Sequence, residues 1–249
     1  MILKKWEKLP KDMQCEEVRQ YYDVLSKRKT SLLLKRILDI VASFIMLMIF
    51  AIPMVVISAL IVMDSPGGVF YRQTRVTIYG KKFRIHKFRT MVANADKIGS
   101  LVTIGRDRRI TKIGGFLRKY RLDEIPQLLD VLAGTMSYVG TRPEVPKYVE
   151  KYSAEMKATL LLPAGITSEA SIRYKDEAKL LDGAEDVDRV YVEKVLPRKM
   201  AYNLRELEQF SFFGEIATMC RTVLAVLGKD YKEREALHGQ EAVNRSAYK

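Results

Sequence analysis

The chain has 249 residues and is 48% hydrophobic, so it can form a core; its ordinary Gly and Pro content argues against a collagen-like or disordered polymer. Its formal net charge of +13 points to an anionic partner: nucleic acid, a phospholipid surface or a phosphate-rich substrate. Cys15 and Cys220 lie too far apart for a CxxC zinc site or a disulfide framework, and His86 and His238 are the only histidines, which leaves carboxylates and cations as catalytic material.

Residues 1–31 read as a charged N-terminal segment lying at a membrane interface. Residues 32–63 follow as a membrane helix. Between Asp39 and Asp64 about two dozen residues carry no charge, which as a straight helix is roughly 36 Å, enough to cross a bilayer core. The segment is too long and too far from the start for an ordinary signal peptide. The alternative, a buried helix of a soluble domain, would normally show a polar stripe. Both flanks are basic, with Lys35 and Arg36 before the segment and Arg72, Arg75, Lys81 and Lys82 after it. Positive charge favours the cytoplasmic side, and Pro53 near the middle breaks the hydrogen-bond ladder. A helix that bends at Pro53 and returns to the same leaflet satisfies both facts; a kinked spanning helix stays open.

Residues 64–228 read as the soluble body. The stretch from Val69 to Met91 is rich in aromatic and β-branched residues, and Tyr79-Gly80 interrupts it as a hairpin turn. From Ile110 the spacing becomes helical, with Ile113, Phe116 and Leu117 on one side. A second helix is predicted to begin near Pro126, which places Asp123 and Glu124 at or just before its N-terminus, where helix dipoles favour anions. The segment around Arg142 reads as an ordered loop, and Pro163-Ala164-Gly165 as a turn. From about Asp186 to Gly228 the chain reads as helical, and its aromatics suit either core packing or a lipid interface. Residues 229–249 form a charged tail. No repeat or low-complexity tract occurs.

Adjacent acids also occur at Glu16-Glu17, Asp176-Glu177 and Glu185-Asp186, and such pairs are ordinarily solvated surface. Asp123-Glu124 differs in having several cations within a few positions and a helix start beside it. A carboxylate attacking a phosphate anhydride must overcome like-charge repulsion, which calls for Arg, Lys or Mg2+. Mg2+ takes one or two carboxylates plus substrate phosphates and needs no histidine. A carboxylate nucleophile can split the transfer into two displacements through an acyl-phosphate. These residues permit that chemistry without selecting it.

Four segments occur in order: SPGGVFYRQTRV, FRIHKFRTM, DRRITKIGGFLRKYRLDEIPQLLDVLAGTMSYVGTRPEVPKY and LLPAGITSEASI. Together, over residues 32 to 228, they resemble the bacterial sugar transferase family, the monotopic polyprenyl-phosphate phosphoglycosyl transferases. The resemblance implies an α+β, predominantly helical fold with a re-entrant membrane helix broken at Pro53, interfacial amphipathic helices and a small β-hairpin. It implies a location on the cytoplasmic face of the bacterial inner membrane. The implied reaction is ping-pong: Asp123 attacks the β-phosphate of a UDP-sugar, UMP leaves, and undecaprenyl phosphate takes the phosphosugar. Glu124 becomes the partner of Asp123, Mg2+ the expected metal at both, and Lys87, Arg89, Arg118 and Arg142 the phosphate-contacting cations. Arg173 and Lys175 are further nucleotide-sugar candidates.

Several positions depart from the family's usual pattern. Ile52 precedes Pro53 where Ser is common, Thr135 and Thr141 replace an Asp and a Pro, Tyr120-Arg121 stands where Thr-Ser is frequent, and GITSEASIRYKDE replaces a GITGWAQVNGR-like stretch. A rival reading is a membrane-tethered basic protein that binds nucleic acid or anionic lipid without catalysis. No known nucleic-acid motif appears, and phosphate substrates plus a lipid surface account for the cations. A homo-oligomer is compatible with the sequence.

Overall fold

The computed structural model describes residues 3–95, 107–174 and 186–226. Lys175, Asp176-Glu177, Glu185 and the tail from 229 lie outside them. The described residues are predominantly helical and include three small two-stranded sheets, an α+β architecture.

After two short 3-10 turns comes α1, Glu16–Lys27. Val18, Tyr21 and Leu25 recur at helical spacing, so one face is apolar. That face is buried, together with Leu9 and Met13, in the largest hydrophobic cluster of the body. Tyr21 fixes the packing by donating to Glu155 Oε1 at 2.8 Å.

A single residue, Arg28, separates α1 from α2, Lys29–Asp64. The helical assignment of α2 runs unbroken through Pro53. Its middle stands clear of the body: Met48 is 67% exposed, Ile52 77% and Val55 70%. A core helix of a soluble domain would be covered, so that alternative falls; an apolar, uncovered helix of this length associates with a membrane. Its buried residues lie toward the ends, where Lys35, Asp39 and Ser43 are enclosed beside apolar Leu32 and Ile61. Lys35 donates to Val139 O at 2.7 Å and pairs with Glu215. Arg36 donates to Val131 O and Leu132 O at 2.7 and 2.9 Å. Asp39 Oδ1 accepts from Ser137 Oγ at 3.0 Å and Tyr138 N at 3.1 Å. At the far end Asp64 accepts from Ile113 N at 2.9 Å. The two ends of α2 therefore grip one body.

The predicted hairpin is present in two tiers. β1 (Phe70–Tyr71) pairs antiparallel with β4 (Lys87–Phe88), and β2 (Thr74–Val76) with β3 (Lys82–Arg84). Tyr79 takes the left-handed conformation at the turn, next to Gly80. α3, Lys112–Lys119, begins at Thr111, whose hydroxyl accepts from Gly114 N at 3.0 Å. Gly114 lies against the Thr90 backbone so closely that a Cβ would meet Thr90 O at 2.0 Å. Leu117 of α3 then packs with Ile61 and Phe88, joining α2, α3 and the hairpin.

The helix predicted near Pro126 is α4, Gln127–Ala133, ended by left-handed Gly134. β5, Met136–Val139, follows, and after the short helix α5, Pro146–Val149, comes a 3-10 segment, Glu155–Leu161. The turn expected at Pro163-Ala164-Gly165 is instead the entry to a strand: β6, Ala164–Thr167, runs parallel to β5. Gly165 permits this, because a Cβ there would lie 2.2 Å from Gly140 N. α6 spans Glu169–Arg173.

The predicted C-terminal helical region divides into α7 (Val187–Val190), a π-turn (Tyr191–Val195), α8 (Leu196–Glu208) and α9 (Phe212–Val226). Its aromatics divide as well: Phe210 is buried, whereas Phe213 is 81% exposed. Both core packing and an uncovered face are thus realised, on different residues.

The polar grip on α2 yields a prediction. Asp39→Ala strands the Ser137 hydroxyl and the Tyr138 N–H and is expected to cost about 2–4 kcal/mol. Asp23→Ala, which removes an exposed i,i+4 pair with Arg19, should change stability by less than about 1 kcal/mol. Denaturant midpoints of both variants in detergent check this.

Candidate active site

The dyad sits between α3 and α4, in a 3-10 turn over Leu122–Glu124. Arg121, just before it, adopts the left-handed conformation at φ 57°. This is an uncommon state for a side chain without a short polar group, and it reverses the chain so that the two acids leave α3 and point into the body. Glu124 is buried at 9% exposure, while Asp123 is half-buried.

Glu124 Oε1 accepts from Lys87 Nζ and from Arg142 Nη2, both at 2.7 Å, with Arg121 Nη1 at 3.8 Å. Lys87 comes from β4, Arg142 from the loop after β5. Burial alone would raise the Glu124 pKa, but the charges of Arg142 and Lys87, the Arg142 hydrogen bond and Arg121 together hold it well below the usual carboxylate range. Lys87 is the converse: burial lowers its pKa against the support of Glu124. Asp123 has no direct hydrogen bond or ion pair among the described residues. Its burial raises its pKa, aided by Glu124, against Lys87, Arg121 and Arg118 acting through space.

The two acids thus occupy different electrostatic states. Glu124 is fixed, ionised and neutralised. Asp123 is held nearby with its oxygens unspent, in a positive field, which is the condition a carboxylate nucleophile needs when it approaches phosphate. For Mg2+ the donor set fits: Asp123 supplies open oxygens, Glu124 has a second oxygen beyond the one its cations hold, and this ion completes its shell with phosphate and water.

Of the cations named from the sequence, Lys87 and Arg142 touch the dyad, and Arg118 contributes to its field. Arg89 does not reach it. Its guanidinium donates to Ser65 O at 2.5 Å and Pro66 O at 2.7 Å, closing the C-terminal end of α2. Arg173 is also elsewhere, donating to Glu169 Oε1 at 2.8 Å beneath the Tyr202 ring. Arg121 was not singled out by sequence, although its position beside the acids signals it.

A cavity of about 450 Å3 lies among α6, α8, α9 and the end of β5, and neither acid of the dyad lines it. Glu169, Arg173, Asn203, Glu206, Glu215 and Arg221 are among its lining residues. Thr141, one residue before Arg142 in the chain, is among its lining residues too. Nothing in the sequence marks Glu206 as an enclosed carboxyl; its surroundings arrive from α6 and α9. Burial, with Glu215 and Glu169 nearby, pushes its pKa up to about 7, against the Glu169 N–H and Lys35.

A sequence profile described as Bacterial sugar transferase matches residues 30–229. A Bacillus subtilis (strain 168) protein, provisionally named an undecaprenyl-phosphate N-acetylgalactosaminyl 1-phosphate transferase, is 41% identical over 65% of this chain and 90% of its own length. The UDP-glucose:undecaprenyl-phosphate glucose-1-phosphate transferase of Caulobacter vibrioides (strain ATCC 19089 / CIP 103742 / CB 15) is 34% identical over 79% of this chain and 70% of its own. The protein of that name from Escherichia coli (strain K12) is 33% identical over 77% of this chain, and only 39% of its length is matched.

The Glu206 shift has a measurable consequence. Its folded pKa of about 7 exceeds the ordinary 4.5, so the folded state binds the extra proton and stability falls as pH rises between those values. Glu206→Gln should remove that slope and gain up to roughly 3 kcal/mol at pH about 8. Denaturation midpoints across this range test it; an unchanged slope would refute it.

Proposed function

We propose that this chain, which belongs to the bacterial sugar transferase family, transfers a sugar 1-phosphate from a UDP-sugar to undecaprenyl phosphate through an aspartyl intermediate on Asp123. The donor and acceptor classes follow the named activities of its relatives. The observation that carries the assignment of roles is the asymmetry of the dyad. Glu124 Oε1 is saturated by Lys87 and Arg142, whereas Asp123 has its oxygens free in the same cationic field.

In the first displacement an Asp123 oxygen attacks the β-phosphorus of the donor. The bond from that phosphorus to the oxygen bridging the α-phosphate breaks, and UMP departs with the bond's electrons. In the second, an oxygen of undecaprenyl phosphate attacks the same phosphorus and the Asp123 carboxylate leaves. Lys87, Arg121 and Arg142 supply positive charge where the phosphoryl oxygens carry negative charge. Mg2+, held through Asp123 and Glu124, would add Lewis-acid screening of the pyrophosphate. Glu124 keeps Lys87 and Arg142 in place, so that their positions do not depend on substrate.

The acceptor is a lipid phosphate, and the exterior of the protein suits a membrane surface. Besides the middle of α2, Phe116 and Tyr120 at the end of α3 and Phe213, Val223 and Leu224 of α9 are exposed. These would sit among headgroups at the cytoplasmic face of the inner membrane. A re-entrant course for α2 is supported by its anchorage at both ends to one body. A straight helix from Arg36 to Ile61 would span about 38 Å, and a bend at Pro53 lets both ends stay at one interface.

Two experiments test the reading. Purified chain in nanodiscs with undecaprenyl phosphate and a panel of UDP-sugars should release UMP in Mg2+ and stop in EDTA. Asp123→Asn should trap no labelled phosphosugar, whereas exposed Asp12→Asn should trap as wild type; trapping by Asp123→Asn would place the nucleophile elsewhere. For topology, Lys29→Cys and Gly68→Cys in a background lacking Cys15 and Cys220 should both label only from the cytoplasmic side. Labelling from opposite sides would replace re-entrance with a spanning helix.

A further inference from the structure

Lys87, Arg142 and Arg121 face Glu124, and they are not equally committed to it. Lys87 and Arg142 donate to Oε1 at 2.7 Å. Arg121 stops at 3.8 Å, beyond hydrogen-bond reach, and keeps 48% of its side chain exposed. Its backbone takes the left-handed state one position past the α3 cap, where glycine or asparagine is usual. A long side chain held there at a conformational cost points to work done by that side chain.

The surface leading to Arg121 is apolar. Phe116 and Tyr120, one helical turn apart, are both exposed, with ring centres 4.9 Å apart. Helical spacing puts them beside Ile113 and Leu117, which pack with Met54, Ile57 and Ile61 of α2. Leu122 and Ile125 belong to the same cluster and bracket the dyad in the chain. The acids therefore sit at the edge of an apolar strip that begins on the membrane helix. Lys119 Nζ, 5.4 Å from the centre of the Tyr120 ring, borders that strip with positive charge.

A ligand suited to this arrangement carries an anionic head and a hydrocarbon tail. A nucleotide sugar has no such tail; a polyprenyl phosphate has both parts. Its tail can continue into the bilayer over the two rings while its head stays at the polar dyad.

We propose that Phe116, Tyr120 and Arg121 form the acceptor's entry: the rings bed the first isoprene units of undecaprenyl phosphate, and the Arg121 guanidinium takes its phosphate beside Asp123. This rests on the transfer reading above and adds to it the residues of the second displacement. There an acceptor phosphate oxygen bonds the phosphorus held by Asp123. That phosphorus parts from the carboxylate oxygen, which keeps the bond's electrons. Two phosphates are then in contact, and Arg121 offsets their repulsion.

Ping-pong kinetics separate the two displacements, because kcat/KM for each substrate reports its own half-reaction. The full chain is assayed in phosphatidylcholine nanodiscs, which bring no anionic headgroup, with undecaprenyl phosphate and the best UDP-sugar varied separately. Arg121→Gly suits the left-handed backbone, so it removes the side chain without straining the turn. It should lower kcat/KM for undecaprenyl phosphate by about thirtyfold, equivalent to about 2 kcal/mol. For the UDP-sugar the fall should be no more than about threefold by the same scale. Arg121→Lys should recover most of the acceptor loss. Phe116→Ala combined with Tyr120→Ala should weaken acceptor use with the same selectivity. An acceptor-selective loss missing from either Arg121→Gly or the ring variant overturns the proposal; a loss confined to the donor would make the rings a nucleotide platform. Wild-type UMP release leaves the transfer reading standing in each case, whereas its absence across the donor panel would remove both.

Discussion

One carboxylate oxygen, Glu124 Oε1, holds the site together. A buried carboxylate is tolerable only when its charge is compensated, and the compensation comes from three separate places: Lys87 on the hairpin, Arg142 on the loop after β5, and Arg121 in the turn that carries the dyad. Each of those segments is short, and none would hold its cation in place alone. The hairpin edge, the β5–β6 pair and the α3–α4 corner converge because one anion requires them. Asp123 inherits its setting from that convergence: it shares the field without being consumed by it.

The same principle, applied at larger scale, docks the membrane helix. α2 is apolar and uncovered through its middle, so hydrophobic burial against the body does little there to orient it. Its ends do so with Lys35, Arg36 and Asp39 at one side and Asp64 at the other, each bonded to backbone or buried polar groups. Arg89 joins this second role by closing the end of α2 at Ser65 and Pro66. Charges that would be costly in lipid are instead the attachment between lipid-facing and catalytic parts.

The sequence was legible wherever a local rule acted. Composition marked α2, Tyr79-Gly80 marked the hairpin turn, and Pro126 marked the helix beside the dyad. It was misleading where a side chain's partner is distant. Lys35 and Arg36 read as flanking lipid charges, yet they bind β5 and α4. Arg89 sits in the same motif as Lys87, but it lies past the end of β4, where its N–H donates to Val69 O and the chain runs beside the end of α2. The Pro163-Ala164-Gly165 turn gave way to a strand because Gly140 and Gly165 let two backbones approach, a fact that exists only once both are present. Glu206 reads as any charged helix residue; burial first, then groups from α2, α6 and α9, shift its pKa.

The N-terminal helix bears on how such a chain can be divided. The family profile begins at residue 30, yet Leu9, Met13, Val18, Tyr21 and Leu25 belong to the same core as Leu161, Leu196 and Met200. The region shared with relatives and the region that closes its own core are therefore not the same object. A border drawn by similarity would cut through packed side chains and leave the face of the Glu155–Leu161 segment and of α8 without its cover. Evolutionary modules and cooperative folding units coincide often enough to be confused; here α1 separates them.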